Sequence, residues 1–291
     1  MTASTSTTTP DVIRVRVPER SLRQDLRAVN IVLRRELIRF WSDRTRMISS
    51  LAQPVLFLFV LGTGLSSLMS GGTAGVDLRT FMFPGVLAMS VMFTALFSAA
   101  SIVWDREFGF LREMLVAPVS RSAIVVGKCL GGAVVATFQG AVILVLAGLA
   151  GVPYAPTLML VLLGELLLLS FTLTAFGVMM AARIKNMQSF FAIVQMALMP
   201  MFFLSGALFP LSGLPSWLGA LTRINPLTYA VDPMREAVFG HLDVGADAAR
   251  MLNTGVTWFG WRVPTALELA MVAAIGVVML GIAIAQFRRT E

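Results

Sequence analysis

DREFGFLREMLVAPVSR, Asp105 to Arg121, is a charged and amphipathic island between two long apolar runs. With ~100° between successive helical residues, Phe108, Leu111 and Leu115 share one stripe, Met114 lies at its edge, and Arg106 and Glu113 lie opposite. Pro118 ends the pattern. A short helix of this kind, joining two membrane spans, admits two readings. Its apolar face enters a groove on a soluble partner, or the helix lies on the lipid headgroups.

The composition explains why membrane spans are expected on both sides. Of the 291 residues 57% are hydrophobic and 13% charged, whereas about a quarter of residues are charged in soluble domains. The mean hydropathy is +0.81. The net charge of +7 sits beside apolar runs and forms no patch on a soluble domain, so it reflects topology and excludes a nucleic-acid partner. A single cysteine, Cys129, excludes an internal disulfide, and a single histidine, His241, excludes multi-histidine metal sites.

Along the chain, residues 1–20 read as a disordered cytoplasmic tail that opens with a Ser/Thr tract, and no cleavable signal is visible. Residues 21–46 read as an amphipathic helix. Leu22, Leu26, Val29, Leu33, Leu37 and Phe40 subtend a narrow arc, with Arg23, Arg27, Arg34 and Arg35 on the other side and Ile31 and Ile38 breaking the polar face. This helix lies in the inner interface with its arginines toward anionic headgroups, or packs on a partner subunit. Residues 47–291 hold six expected spans, each near the ~20 residues needed to cross the hydrocarbon. They are Met47 to Met69, Phe81 to Trp104, Cys129 to Ala150, Thr157 to Ala182, Met187 to Phe209 and Leu267 to Phe287. Gly127, Gly131, Gly132, Ala136 and Gly140 provide small residues for close helix packing.

An inside N-terminus puts 18 of the 23 Lys and Arg on the cytoplasmic side, counting Arg106, Arg112, Arg121 and Lys128 among them. The expected protein is therefore a multi-pass protein of the cell membrane with both termini in the cytoplasm. Asn186 to Thr222 is uncharged over 37 residues but interrupted by Pro200, Gly206, Pro210, Gly213 and Pro215, which favours one span plus a re-entrant piece.

Two motifs carry a resemblance. EFGFLREMLVAPVSR, Glu107 to Arg121, is similar to the cytoplasmic loop after the second span of ABC-2 type permeases, and NPLTYAVDPMR, Asn225 to Arg235, resembles the stretch that family carries before its last span. The similarity runs from about Arg34 to the C-terminus, and its flavour is that of the daunorubicin-type drug-resistance exporters. It implies an all-α membrane protein of six transmembrane helices, with an N-terminal connecting helix, a cytoplasmic coupling helix and re-entrant outer-leaflet helices before the last span. It also implies partners: an ABC ATP-binding subunit that carries ATP and Mg, a second permease copy or a homologous permease, and membrane lipids. Arg106, Glu107, Phe108, Leu111, Arg112, Glu113 and Leu115 would then couple to the ATPase. Asn225, Pro226 and Tyr229 would form a substrate gate.

The chain itself shows no phosphate cradle. Its Gly-Lys pair, Gly127 and Lys128, has Ser122 where a Walker A loop needs its first glycine and Cys129 where it needs Ser or Thr. No catalytic constellation, cofactor site or metal site is readable. Glu165 is a carboxylate well inside a span, ~12 Å deep at ~1.5 Å per residue. It lines a path for cationic amphiphiles, or serves as a hydrogen-bonded structural acid. The expected function is the permease subunit of an ABC exporter moving a drug, lipid or lipid-linked glycan outward. The alternative is a proton-driven secondary multidrug transporter, a class that usually shows internal repeats and several buried ionisable residues.

Overall fold

The computed structural model describes residues 21–64, 77–110, 119–211, 214–242, 255–258 and 260–289. Its first helix, α1 (Leu22–Ser42), starts at a capping box in which Ser21 and Gln24 satisfy each other's backbone N–H groups. Then come α2 (Arg44–Leu56), which runs on through a π turn at Phe57–Leu61, α3 (Leu78–Glu107) and α4 (Arg121–Leu144). A 3-10 turn at Ala147–Ala150 leads into α5 (Pro156–Ala181), followed by α6 (Met187–Phe203), the short α7 (Ser216–Ile224) and α8 (Thr228–Phe239), and the final α9 (Thr265–Arg289). A two-residue hairpin, β1 (Thr257–Trp258) with β2 (Trp261–Arg262), precedes α9.

The bundle is built around α3, whose apolar residues run all round the helix and are buried almost throughout. It packs against α4 and α5, with α2, α6 and α8 along its remaining sides, while α9 covers α5. Small residues set how closely these helices meet. The glycines of α4 serve two neighbours: Gly127 and Gly131 admit Val32 and Glu36 of α1, while Gly132 admits Ser98 of α3 and Thr174 of α5.

Among the described residues, five helices are long and apolar enough to cross a membrane: Met47–Gly64, α3, α4, α5 and α9. The fifth expected span, Met187 to Phe209, is a helix of 17 residues that stops at Phe203, because the chain turns back through Gly206 at φ 74°. The third begins at Arg121, eight residues before the expected Cys129, since Ser120 caps it by accepting from the Ala123 N–H.

The expected apolar arc of α1 is divided: Val29, Leu33 and Leu37 are half-buried and Phe40 is buried. Leu22 and Leu26 are exposed, and the buried line is Ala28, Val32, Glu36 and Phe40. The close approach to α4 at Gly127 and Gly131 rotates this line inward, and Glu36 is held there by an ion pair. The expected docking helix from Asp105 also shifts. Asp105 to Glu107 form the last turn of α3, and Gly109, at φ 83°, turns the chain out of it.

At the outer end the chain folds back over α6, and Asn225 takes the extended geometry (φ −76°, ψ 118°) that a following proline demands. Gly85 of α3 makes this fold-back possible, because a Cβ there would lie 2.5 Å from the Ala207 Cβ and 2.7 Å from its Cα and carbonyl oxygen. Gly85→Ala is therefore expected to cost about 1–3 kcal/mol, seen as a lower thermal midpoint of the purified protein. Gly164→Ala, where no neighbour lies within 4 Å, is expected to be neutral or to gain up to about 1 kcal/mol from helix propensity.

Candidate functional site

The end of the bundle where α1, α3 and α4 meet is held by a cluster of charges whose centre is buried. Lys128 of α4 lies 2.7 Å from Glu36 Oε1 of α1, 2.7 Å from Asp105 Oδ2 of α3 and 2.8 Å from Ser101 Oγ. One guanidinium nitrogen of Arg35 donates to both Asp105 oxygens at 2.7 Å, and Arg39 approaches to 4.0 Å. Ser101 Oγ also lies 3.3 Å from Glu36 Oε1. Three elements far apart in sequence thus converge on one ammonium group. The positive-charge count treats Lys128 as a loop residue, whereas the fold buries it. A Glu and an Asp on neighbouring helices were the sequence signal for this.

Arg106 and Glu107, expected on the partner-facing helix, are engaged inside the chain. Arg106 donates to the carbonyls of Ala181, Ala182 and Ile184 at 3.0, 3.1 and 2.7 Å, and Glu107 accepts from the Met187 N–H at 3.3 Å. Together they satisfy orphan groups at the end of α5 and the start of α6. Phe108 is 62% exposed and stacks on Trp104, with centroids 5.6 Å apart. Nearby, Ile31, Arg34, Ile38, Trp104 and Phe110 border a cleft of about 740 Å³ on the α1 side. Leu111, Arg112, Glu113 and Leu115 lie outside the described residues.

The outer candidates hold the fold-back in place. The Asn225 amide donates to the Met201 carbonyl at 2.7 Å, Thr228 donates to the Leu204 carbonyl at 3.2 Å, and Arg235 donates to the Gly206 carbonyl, with its guanidinium 4.3 Å from the Phe81 ring centre. Tyr229 donates its hydroxyl to the Arg223 carbonyl and accepts from the Trp258 indole. Pro226 follows Asn225 in the turn between α7 and α8. Glu165 is buried and its Oε2 has no hydrogen-bond partner among the described residues. Asp232 and Glu268 are also buried, where α8 packs on α9. Glu268 is less visible in the sequence than Glu165 because it sits in the first turn of its span.

A second cleft, of about 570 Å³, opens between α2, α3 and α6. From α2 come Thr45, Ser49, Ser50 and Gln53, from α3 Phe93 and Phe97, and from α6 Gln195, with Asp43 at the start of α2. Thr45, Ser49 and Gln53 follow i, i+4, i+8 spacing and are all exposed. That stripe was readable in the sequence but was masked by the high hydropathy around it. Glu165 is not part of this lining.

Residues 27–239 match the ABC-2 type transporter family. The chain belongs to that family. It is 29% identical over 214 residues to a transport permease of Cyanophora paradoxa named ycf38, with 70% of this chain and 72% of that protein covered. Nodulation protein J of Rhizobium leguminosarum bv. viciae is 31% identical over 199 residues, covering 67% of this chain and 75% of that protein. The multidrug ABC transporter permease YbhR of Escherichia coli (strain K12) is 30% identical over 159 residues, which cover 54% of this chain and 43% of YbhR. The protein is thus a multi-pass membrane permease subunit of an ABC transporter, and permeases of this family work with an ATP-binding subunit.

The permease's inner ion cluster gives a direct prediction. Lys128→Met leaves Glu36 and Asp105 buried without their ammonium partner, so it is expected to cost about 3–5 kcal/mol, read as a fall in thermal midpoint. Adding Glu36→Gln and Asp105→Asn to that variant is expected to restore most of the loss, because neutral amides remove the uncompensated charge.

Proposed function

We propose that the chain is the transmembrane half of an ATP-driven exporter, moving a hydrophobic or amphipathic substrate outward with ATP and Mg bound on a separate subunit. The observation that carries this reading is the uncharged polar stripe of α2, exposed beside α6 on a helix that from Met47 is apolar enough to cross a membrane, in a family of transport permeases. Hydroxyls and amides on such a helix are costly against lipid tails, so they serve water, cargo or another polypeptide. A second permease, the same chain or a homologous one, would face this side and enclose the path. The Gly-Lys pair also supports a separate ATPase: Gly127 is packed on Val32 and Lys128 is bound to Glu36 and Asp105, so neither is available to cradle a phosphate.

The cytoplasmic face around Phe108 is the proposed docking surface for the ATP-binding subunit. It combines an exposed aromatic pair with the Ile31, Ile38 and Phe110 cleft, flanked by Arg34. An exposed Phe buried at a docking site contributes roughly 1.5–3 kcal/mol. Phe108→Asp, which also buries a charge, is therefore expected to reduce copurification of the ATPase at least tenfold. Undiminished copurification would remove this surface from the interface.

The orientation of 18 basic residues against 5 supports cytoplasmic termini in the cell membrane. A cysteine at Ser120 is expected to resist an impermeant thiol reagent added outside intact cells, and one at Trp261 to react, in a Cys129→Ala background. The reverse pattern would invert the topology. Buried Glu165, Asp232 and Glu268 favour the proton-driven alternative to a limited degree, and ATP-independent export by the chain alone would decide for it.

A further inference from the structure

Where α8 packs on α9, two acids meet. Asp232 of α8 is 4% exposed and Glu268 of α9 is 1% exposed, and their carboxyl groups are hydrogen-bonded to each other. An ionised carboxylate only accepts, so two of them cannot make that bond. One of the pair must carry a proton.

The surroundings show which. Asp232 Oδ2 accepts from the Val256 N–H at 3.0 Å, in the segment leading into the hairpin, and the Arg235 guanidinium on the same helix favours its negative charge. Glu268 has no comparable support. Its Oε1 is buried and has no hydrogen-bond partner among the described residues. A bare buried oxygen is costly on an ionised carboxylate and much less so on the carbonyl of a neutral acid. The bond therefore runs from the O–H of a neutral Glu268 to an ionised Asp232.

The other charged groups around the pair leave it no cation to replace that proton. Glu236 of α8 accepts from Thr265 Oγ1 at 2.6 Å and occupies Arg262 of the hairpin at 3.5 Å. Arg235 is turned to the Gly206 carbonyl and the Phe81 ring. Glu165 of α5 adds a further acid beside Glu236, with its own bare Oε2. Tyr229 lies near Glu268, but its hydroxyl is engaged with the Arg223 carbonyl and the Trp258 indole. At the start of α3, which also packs on α8, Asp77 and Arg79 are paired with each other at 2.5 Å.

We propose that Asp232 and Glu268 form a proton-binding site, in which one proton held on Glu268 and shared with Asp232 joins α8, the segment at Val256 and α9. Without it two desolvated charges would stand side by side. Because α8 also bonds the end of α6 through Thr228 and Arg235, the occupancy of this site sets how firmly the whole fold-back rests on α9. The proton is resident in the fold, so the site does not depend on what drives transport.

Infrared spectroscopy of the full chain in phospholipid nanodiscs at neutral pH tests this, because a neutral carboxylic acid has a C=O stretch above the amide bands that moves down in D2O. Glu268→Gln, whose amide can still donate to Asp232, is expected to fold and to lose one component of that absorption. Asp232→Asn is expected to keep the component but displace it, since its acceptor is no longer charged. The folded chain holds a proton that an ordinary glutamate, with a pKa of about 4.3, has released at neutral pH. Raising the pH therefore favours unfolding, by about tenfold in the unfolding constant per pH unit until the site itself ionises. The thermal midpoint is expected to fall accordingly, and Glu268→Gln to remove that part of the slope. An absorption unaltered by Glu268→Gln, or a midpoint slope that this variant keeps, overturns the proposal. If that variant does not fold, Asp232→Asn decides, and an undisplaced absorption overturns it. Stabilisation by sodium over choline at equal ionic strength, abolished by Glu268→Gln, overturns it too, since a metal cation would then hold the place of the proton.

Discussion

An ammonium group buried at the junction of three helices is the constraint on which the inner half of this permease depends. Lys128 cannot be solvated where it lies, so Glu36, Asp105 and Ser101 must all be within hydrogen-bonding distance at once. That condition fixes the rotation of α1 on α4 and the height of α3 against both. It also explains a helix that a simple wheel misreads. The apolar arc of α1 faces the bundle only along one edge, because Glu36 must be buried beside its partner, and a buried charge without that partner costs more than exposing Leu22 and Leu26.

Much of the architecture was legible because membrane spans obey length and composition rules that hold residue by residue. The apolar runs, the tight turn between α4 and α5, and the fold-back signalled by Pro200, Gly206 and Pro210 all follow from local sequence. What local sequence hides is which polar groups meet. Lys128 looked like a flanking positive charge because its partners are 23 and 92 positions away. Arg106 and Glu107 looked like the surface of an amphipathic helix, although their partners are the backbone ends of α5 and α6. The Thr45, Ser49, Gln53 stripe was diluted below notice by its neighbours, since hydropathy averaged over a span conceals one polar edge.

The outer half of the molecule solves a different difficulty. A helix that ends leaves its last carbonyls without intrahelical partners. Here α6 ends at Phe203, and the returning chain supplies the donors: Asn225 to Met201, Thr228 to Leu204 and Arg235 to Gly206. The stretch from Asn225 to Arg235 therefore serves the termination of α6 whatever further part it takes in transport. Buried Arg235 is tolerable because its charge rests on the Phe81 ring and beside Asp232.

The grip of Arg106 and Glu107 on the α5–α6 junction has a mechanical meaning. The last turn of α3 is bonded to both of those helices, and its other end is packed against Ala207, so the three helices are tied together at two points. Across the cleft stands α2, which is thinly packed, interrupted by Pro54 and wound into a π turn from Phe57 to Leu61. Stiffness is thus unequally shared between the two walls, α2 being the more compliant. The width of the opening becomes a function of how far α2 bends.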